Sequence, residues 1–491
     1  MRPESRAPRA SRATRTSTAV AWDAWRVNRG GPGALAARQR VRLGALVEHA
    51  RDRSPFYAEL YRGLPQAPAL DQLPVTSKPE LMARFDDWVT DPAVTRAGVE
   101  DFVADPGNLG RDYLGRYVVF TTSGSTGTPA LLVQDHQALA VMTGLALARS
   151  AAIFAPAVLA RVLLHGGRSA AILATGGHFL GATMFERRRR SVRIRRRITR
   201  LISVLDPVPR LVQQLNDFRP AIVGSYASVL EVLAQEQESG RLRISPVVIT
   251  SAGELLLPPA RQRIEAAFGC PVVEAYAASE AAPLSTPCRG RRLHINADWF
   301  LVEPIDADGR PVPPGRRSDS VLVTNLANHV QPVIRYQLGD SVVVSPQPCP
   351  CGSQLPTIEV EGRTDETLHL PGITSDRVDL LPMAVATVVE ETPGVRRFQV
   401  IQTAPATLAV RLEPAPGADV HEVWTRVQGR LTDYLHEQKT APVQIEVDTE
   451  PPRPDPRSGK LRHVLRGPGA DAPAPRPPTE AAGDDQDRPQ P

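Results

Sequence analysis

The sequence predicts an α/β protein with a large amino-terminal domain of layered, mostly parallel sheets and a small α+β domain near its carboxyl end. Its 491 residues exceed what one hydrophobic core organises, so at least two domains are expected. Residues 203–284 alternate helix-like and strand-like segments, which is typical of a doubly wound sheet. After residue 365 the pattern changes to the short strands and helices of a compact α+β unit.

The predicted domain boundaries follow changes in composition. Residues 1–22 are rich in Arg, Ser, Ala and Pro, which predicts a disordered basic tail, with a nucleic-acid-binding arm as the alternative. The large domain covers residues 23–364 and the small domain residues 365–466. Residues 467–491 are rich in Pro, Ala and acids, which predicts a second disordered tail.

Composition sets the general class of the protein. An apolar content of 42% with 23% charged residues is ordinary for a soluble globular protein. No apolar run is long enough to span a membrane, and the basic amino terminus lacks the apolar core of a signal peptide. Four cysteines in so long a chain do not make a disulfide framework. These features predict a cytoplasmic protein without a membrane partner.

Two amphipathic segments precede the first strand. Apolar residues at helical spacing, among them Val41, Leu43, Leu46 and Val47, predict a packing helix that starts near residue 38. Residues 73–92 contain a turn and a second helix that begins near Lys78. Both segments are interpreted as structural elements without a catalytic role.

Residues 121–129, TTSGSTGTP, have the composition of a phosphate-binding loop. Gly124 and Gly127 let the backbone approach an anion, and six Ser and Thr side chains supply hydroxyl groups. The apolar run 117–120 predicts a strand before the loop, at a strand end of the kind where α/β proteins bind ligands. The GxxxxGK[ST] and GxGxxG patterns are absent. A plain surface turn has the same composition, so the role of the loop is decided by the other motifs of the chain.

The segment after the loop contains two candidate functional histidines. His136 is interpreted as the polar start of a helix rather than as a base. His178 lies in the glycine-containing run ATGGHF, where an edge of a pocket and a loop without a ligand are equally supported.

Nine arginines and a single acid make residues 186–200 strongly basic. A solvated basic loop is the favoured interpretation. The cluster would also suit the phosphates of coenzyme A, an acidic carrier protein or nucleic acid. Because no aromatic residue interleaves with the arginines, a sequence-specific reader of nucleic acid is disfavoured.

Six motifs in a fixed order give the chain a specific resemblance. It resembles the adenylate-forming enzymes, and within them the phenylacetate–CoA ligase and CapK-like branch, over roughly residues 38–466. The motifs are TTSGSTGTP at 121–129, SAGE at 251–254, EAYAASE at 274–280, VIRYQLGD at 333–340, EGRTD at 361–365 and PRSGK at 456–460.

The resemblance implies a reaction and its co-substrates. Such enzymes bind ATP, Mg²⁺ and a carboxylic acid, form an acyl-adenylate with release of pyrophosphate, and transfer the acyl group to a thiol, here expected to be that of coenzyme A. An aromatic or aryl-acetic acid is the expected substrate. Three alternatives stay open: transfer of the acyl group to a carrier protein or an amine, a non-catalytic nucleotide-binding homologue, and a basic nucleic-acid-binding protein.

The resemblance also assigns the nucleotide site. Six residues of the loop would hold the β- and γ-phosphates of ATP, namely Thr122, Ser123, Gly124, Ser125, Thr126 and Gly127. Tyr276 would lie against the adenine, and Gly253 and Glu254 would line the same wall. Asp340 would accept both ribose hydroxyls, and Arg363 would contact ribose or phosphate. The loop departs from the family pattern because it lacks the lysine that many relatives carry at its end.

The catalytic roles follow from the same motifs. Glu280, which follows Ser279, is the expected Mg²⁺ ligand, since a hard cation prefers oxygen donors. Lys460 would bridge the carboxylate and the α-phosphate as negative charge gathers there. The small domain would be mobile and would hinge at Asp365.

Four further residues have the chemistry of a structural zinc site: Cys288, His294, Cys349 and Cys351. Four sulfur and nitrogen ligands satisfy tetrahedral Zn²⁺ and leave no position for catalysis. The alternative is a set of unrelated thiols and a surface histidine. Cys270 lies in an apolar strand and is interpreted as a core residue.

Overall fold

A computed structural model of the protein describes residues 16–122, 130–149, 155–361, 367–453 and 462–470. The chain begins with helices that pack around the later antiparallel strands. They are α1 (Ser17–Arg29), α2 (Gly31–Arg53), α3 (Pro55–Leu60), α4 (Lys78–Ala83), α5 (Phe85–Trp88) and α6 (Arg96–Ala104), with 3-10 turns at Leu70–Gln72 and Pro106–Asn108.

Two expectations for this region need correction. Residues 17–22 belong to α1 and not to a disordered tail, because Val20, Ala24 and Val27 form a buried face. Val41 is 73% exposed and lies on the solvent side of α2, whereas Leu43, Leu46 and Val47 are buried as predicted. The apolar spacing therefore located the helix but assigned one side chain to the wrong face.

The predicted phosphate loop joins two antiparallel strands. Strand β1 (Val118–Thr121) pairs with β2 (Leu131–Gln134), with Thr121 opposite Leu131. The loop therefore closes a β-hairpin, which differs from the expected position at the end of an α/β strand. Helix α7 (His136–Arg149) follows and starts at His136, as predicted, and α8 (Pro156–Leu164) comes next.

A five-stranded parallel sheet confirms the α/β class. Its strands are β3 (Ser169–Leu173), β4 (Thr199–Ser203), β5 (Ile222–Ser225), β6 (Val248–Ser251) and β7 (Val272–Glu274), in the order β4-β3-β5-β6-β7. The intervening helices are α9 (Leu180–Ser191), α10 (Arg193–Ile198), α11 (Val208–Phe218), α12 (Ala227–Glu238) and α13 (Pro258–Phe268).

The arginine-rich segment 186–200 was expected to be a solvated loop and instead forms the end of α9, all of α10 and the start of β4. Part of its charge is neutralised within the fold. Glu186 accepts from both Arg189 (2.6 Å) and Arg190 (2.8 Å), and Arg187 pairs with Asp112. Because these ion pairs hold three arginines against carboxylates, the basic run is compatible with helix.

Antiparallel sheets complete the large domain. One has the order β13-β14-β9-β8 and contains β8 (Ser285–Pro287), β9 (Leu293–Ile295), β13 (Ser341–Val344) and β14 (Thr357–Glu361). The other contains β10 (Phe300–Ile305), β11 (Ser320–Asn325) and β12 (Tyr336–Gln337) in sequence order.

The small α+β unit has the predicted character. A hairpin of β15 (Leu368–Leu370) and β16 (Val378–Leu380) precedes α14 (Pro382–Glu390). A mixed sheet of order β19-β18-β17-β20 then packs against α15 (Val420–Glu437). Its strands are β17 (Val395–Ala404), β18 (Thr407–Pro414), β19 (Gln444–Asp448) and β20 (Val464–Arg466).

The small unit is seated on the carboxyl ends of β3 and β4. The Gln438 side chain donates to the carbonyl of Leu205 at 2.7 Å. The Glu391 carboxylate lies against Gly176, so that a Cβ added at Gly176 would meet Glu391 Oε1 at 2.0 Å. Buried apolar residues of the parallel sheet and of the small unit form one continuous core. This docking places the small unit beside the loop that follows β3.

Candidate active site

Thr122 closes the foot of the phosphate-loop hairpin. Its backbone N–H donates to the Ala130 carbonyl at 3.0 Å, and its hydroxyl accepts from the Ala130 N–H at 2.9 Å. The two ends of the predicted phosphate loop are therefore tied together, although Ser123, Gly124, Ser125, Thr126 and Gly127 lie outside the described residues.

Lys78 reaches the same point from the amino-terminal helices. Its ammonium donates to the Thr122 hydroxyl at 3.2 Å. The segment before it is fixed by backbone bonds from Thr76 to Arg335 and from Gln337 to Thr76, each 3.0 Å long. Sequence reasoning assigned residues 73–92 a structural role and missed this lysine. The available signal was the missing lysine of the loop, which left its phosphates without a fixed cation.

Glu280 is a buried carboxylate on the segment between β7 and β8, with only 8% of its surface exposed. Its Oε1 accepts from the Tyr336 hydroxyl at 3.1 Å. Burial raises the pKa of Glu280, and the positive charge of Lys78 acts in the opposite direction. A buried oxygen donor near a lysine and a phosphate loop has the chemistry of a hard-cation ligand.

Tyr276 and Asp340 meet although 64 positions separate them in the chain. The Tyr276 hydroxyl donates to Asp340 Oδ2 at 2.6 Å. Burial, followed by the Asp340 charge, holds the pKa of Tyr276 well above its usual value. The bond fixes one carboxylate oxygen of Asp340.

The segment from Tyr276 to Glu280 is tied to the hairpin through Ser279. The Ser279 carbonyl accepts from the Gln134 side chain on β2 at 3.3 Å. The segment that carries Glu280 is therefore bonded directly to strand β2 of the hairpin.

Gly253 and Glu254 form a tight turn after β6. Glu254 accepts from the Ser228 N–H (2.8 Å) and hydroxyl (3.0 Å) at the start of α12. Gly253 has φ +87°, and an added Cβ would meet the Tyr226 ring at 3.1 Å. The carboxylate caps a helix, and the glycine is required by the backbone and by the adjacent ring.

His178 is buried beside the hairpin. Its carbonyl accepts from the Thr121 N–H at 2.9 Å, and its ring packs against Phe102 with centroids 5.7 Å apart. Burial lowers the pKa of His178. Within the described residues its Nε2 has no hydrogen-bond partner. The glycine-containing run thus brings the histidine next to the loop, inside the packed structure.

The four predicted zinc ligands converge. One ligand atom from each of Cys288, His294, Cys349 and Cys351 lies within 4.8 Å of the others. The sulfurs of Cys288 and Cys349 are 3.8 Å apart, and Cys351 Sγ is 3.3 Å from His294 Nε2. His294 Nδ1 bonds the Leu355 carbonyl at 2.8 Å, which directs Nε2 toward the cysteines. Cys270 is buried elsewhere in the core, as predicted.

Known proteins match the chain in the region of this site. Residues 73–317 match the family described as AMP-binding enzyme. The phenylacetate-coenzyme A ligase of Thermus thermophilus is 26% identical over 479 residues, which cover 88% of this chain and 96% of the relative. The chain belongs to the AMP-binding, adenylate-forming enzymes. Protein CapK of Staphylococcus aureus is 31% identical over 133 residues, covering 27% of this enzyme and 28% of CapK.

A solved structure supports the fold of this AMP-binding enzyme. The crystal structure of 2-hydroxyisobutyryl-CoA ligase in complex with 2-HIB-AMP and CoA in the thioesterification state gives a TM-score of 0.51 at 19% identity. The alignment covers 88% of this chain and 89% of that ligase. The solved structure supports the fold alone, and the two relatives indicate the phenylacetate–CoA ligase-like branch.

Besides the loop residues, three further predicted functional residues of the AMP-binding enzyme lie outside the described ranges, namely Arg363, Asp365 and Lys460. Their roles in ribose or phosphate contact, hinge movement and catalysis stay predictions.

No helix in the described part of the chain has the length and the apolar run needed to cross a bilayer.

Proposed function

We propose that the protein is an AMP-forming acid–CoA ligase that activates an aromatic or aryl-acetic acid. ATP and the acid give an acyl-adenylate and pyrophosphate, and the thiol of coenzyme A then takes the acyl group. The observation that carries the proposal is the convergence of Lys78, Thr122 and Glu280 at the foot of the phosphate-loop hairpin. Membership of the phenylacetate–CoA ligase-like branch supplies the reaction class.

Lys78 and Thr122 provide the fixed polar groups for the phosphate end of ATP. The Lys78 ammonium already donates to Thr122, so its position needs no rearrangement of the backbone when an anion arrives. This lysine supplies the cation that the loop itself lacks. The glycines and hydroxyls of residues 123–127 would complete the cradle.

Glu280 fits the role of the Mg²⁺ ligand. It is a buried oxygen donor whose orientation is fixed by the Tyr336 hydroxyl, and its burial favours a partner of positive charge. When bound, Mg²⁺ would neutralise phosphate charge. In this scheme Glu280 acts as an oxygen ligand and not as a proton donor or acceptor.

Asp340 would bind the ribose hydroxyls, with Tyr276 as its support. A carboxylate can accept two hydroxyl donors only if its orientation is maintained, and the 2.6 Å bond from Tyr276 maintains it. Tyr276 would also offer its ring to the adenine. Gly253 would allow the backbone after β6 to pass close to the base. Glu254 has a helix-capping role in addition to any contact with the nucleotide.

The small domain would deliver Lys460 to the reacting carboxylate and α-phosphate and would hinge at Asp365. Its contacts with the carboxyl ends of β3 and β4 are compatible with a domain that covers the part of the site where the carboxylic acid substrate would bind. We place the domain boundary near residue 365, between β14 and β15.

The four unpaired cysteines are compatible with a cytoplasmic location.

We further propose a structural Zn²⁺ at Cys288, His294, Cys349 and Cys351. A tetrahedral ion with Zn–S bonds of about 2.3 Å separates two sulfurs by about 3.8 Å. The Cys288–Cys349 distance of 3.8 Å has this value. The His294 bond to Leu355 supplies the orienting partner that zinc-bound histidines use. All four donors come from the protein, so the site would be structural.

Acid-dependent release of pyrophosphate tests the proposed function. The protein is assayed with ATP, Mg²⁺ and a panel of aryl and aliphatic acids, then with added coenzyme A, beside Lys460→Ala. The expected result is release only with a subset of aryl acids, loss of release in Lys460→Ala, and a thioester when coenzyme A is present. ATP binding without pyrophosphate release from any acid, alone or with coenzyme A, would contradict the proposal.

A further inference from the structure

Helix α1 has a buried face and an exposed aromatic face. Val20, Ala24 and Val27 are at most 1% exposed and pack the helix onto α7, where Gly144 leaves room for Val20. On the other side Trp22 is 61% exposed and Trp25 is 42% exposed. Because the buried face anchors α1, the two tryptophans are held at the surface by the fold.

The two tryptophans belong to an apolar groove. Their rings stack with centroids 4.8 Å apart and an interplanar angle of 20°. Leu147 of α7 is 52% exposed on the opposite wall. The groove has a volume of about 410 Å³ and is lined by Thr18, Ala21, Trp22, Trp25, Leu147 and Ala148. Neighbouring exposed apolar side chains, two of them tryptophan, are typical of an interaction site rather than of ordinary surface.

The surroundings of this groove are cationic. Arg26 and Arg29 are exposed in the last turn of α1. The one acid of the helix, Asp23, is turned toward α2, where it pairs with Arg38 at 3.1 Å and also with Arg42. The fifteen residues that precede Thr16 contain five arginines and a single acid, Glu4. An anionic partner therefore fits this side of the molecule.

We propose that the exposed face of α1, with Leu147 of α7, docks the protein onto an anionic lipid surface. Tryptophan rings partition to the boundary between headgroups and acyl chains, and arginines beside them bind the anionic headgroups. The sequence predicted no membrane partner because it has no spanning segment. Surface docking needs only exposed side chains, and the fold is what exposes them. The inference is independent of the acid-activating function.

Two other partners fit the same face less well. A second copy of the chain would bring the arginines of both copies together without an acid between them, which is unfavourable. Single-stranded nucleic acid needs free ring faces for stacking. Trp22 covers one side of the Trp25 ring, and the Arg29 guanidinium lies over this ring at 4.2 Å from its centroid.

Vesicle flotation of the full-length protein tests the proposal. The vesicles contain phosphatidylcholine alone or phosphatidylcholine mixed with phosphatidylglycerol. We expect flotation with the anionic vesicles, a decrease at high salt, and a roughly tenfold smaller bound fraction for Trp22→Ser/Trp25→Ser. The control Val420→Ser/Val447→Ser removes two apolar side chains of the small domain that are 56% and 50% exposed, and it should float like the wild type.

Three results would overturn the proposal. One is the absence of flotation by the wild-type protein, and another is flotation that Trp22→Ser/Trp25→Ser leaves unchanged. The third concerns the alternative partners. It is obtained if the wild type self-associates or binds single-stranded DNA, and Trp22→Ser/Trp25→Ser loses that property but still floats with the vesicles. Unchanged thermal unfolding and acid-dependent pyrophosphate release in the variant show that the fold and the catalytic site are intact, so failure of docking is distinguishable from failure of the enzyme.

Discussion

The Lys78 ammonium lies at the foot of a phosphate loop that lacks the lysine many relatives carry at its end. It comes from a helix start 44 positions before Thr122, fixed by the pairing of Thr76 with Arg335 and Gln337. A cation at this point stabilises phosphate charge only if its distance is maintained, and two backbone bonds maintain it. In the proposed mechanism, the pairing of Thr76 with β12 therefore positions Lys78.

Lys78→Ala is expected to lower kcat/KM for acid-dependent pyrophosphate release by about 10²- to 10³-fold, the usual effect of removing one fixed group that stabilises transition-state charge. Lys78→Arg should retain part of the rate because it keeps the charge. The control is Lys439→Gln, which removes an exposed lysine from the turn after α15. Equal rates for Lys78→Ala and the control would show that the ammonium plays no part in the reaction.

Tyr276→Phe removes the hydroxyl that fixes Asp340. A hydrogen bond to a charged group contributes about 1.5 kcal/mol, so KM for ATP is expected to rise about tenfold with a smaller change in kcat. A double-mutant cycle with Asp340→Asn measures the coupling in the same assay. Strictly additive effects of the two substitutions would mean that the 2.6 Å bond does not support nucleotide binding.

The turn after β6 requires particular residues for structural reasons. Gly253 has φ +87°, and a Cβ added to it would lie 3.1 Å from the Tyr226 ring. Glu254 caps α12 by accepting hydrogen bonds from Ser228. The SAGE motif therefore has a structural function in addition to any contact with the nucleotide. Its glycine cannot be exchanged without strain in the backbone.

Gly253→Ala is expected to lower the free energy of unfolding by about 1–3 kcal/mol, as measured by urea denaturation. Gly240→Ala is the matched control, because Gly240 has φ +77° with no atom within 4 Å of an added Cβ. The control carries the backbone strain alone, so the difference between the variants reports the Tyr226 contact. Identical unfolding midpoints for the two variants would remove this contact from the explanation.

The Cys/His cluster joins the β8–β9 region to the loop between β13 and β14. Elemental analysis of protein purified without chelator is expected to find one zinc per chain. Removal of the ion should lower the melting temperature, because the site cross-links segments about sixty residues apart. Cys349→Ser should abolish zinc binding, whereas Cys270→Ser should retain it. Full zinc occupancy in Cys349→Ser would exclude this ligand set.

At the scale of the whole molecule, the small domain contacts the ends of β3 and β4 and shares a buried apolar core with the parallel sheet. Gly176 has no room for a side chain in this arrangement because Glu391 occupies the space. Enzymes with a mobile domain distribute their steps between domain orientations. A substitution at Gly176 therefore acts on one orientation while leaving the buried residues around Glu280 in place.

Gly176→Ala is expected to change the ratio of pyrophosphate release to thioester formation by about fivefold. This factor corresponds to a loss of roughly 1 kcal/mol in the free energy with which the small domain docks. Gly176→Ala/Glu391→Ala should restore the ratio, since the second substitution vacates the space that the first one needs. Both rates are measured on the same preparation with saturating coenzyme A. A ratio that stays at the wild-type value in the single variant would show that this docked arrangement does not limit either step.

The sequence by itself determined the features that local patterns record. Alternating strand-like and helix-like segments predicted the α/β class, and the ordered motifs predicted the reaction and most of the described site residues. Hydrophobic periodicity also located α2, and the polar His136 marked the start of α7. It placed Val41 on the wrong face and missed the helical character of the arginine-rich segment, because both outcomes depend on neighbours distant in the chain.

Tertiary structure alone decided which distant residues meet. Lys78 joins Thr122 only because residue 76 pairs with β12, and Tyr276 reaches Asp340 across two sheets. The exposure of Trp22 and Trp25 follows from the seat of α1 on α7, since composition cannot tell a buried tryptophan from an exposed one. Local sequence determines backbone preference, whereas burial, charge pairing and metal geometry depend on the packing of segments that the sequence keeps far apart.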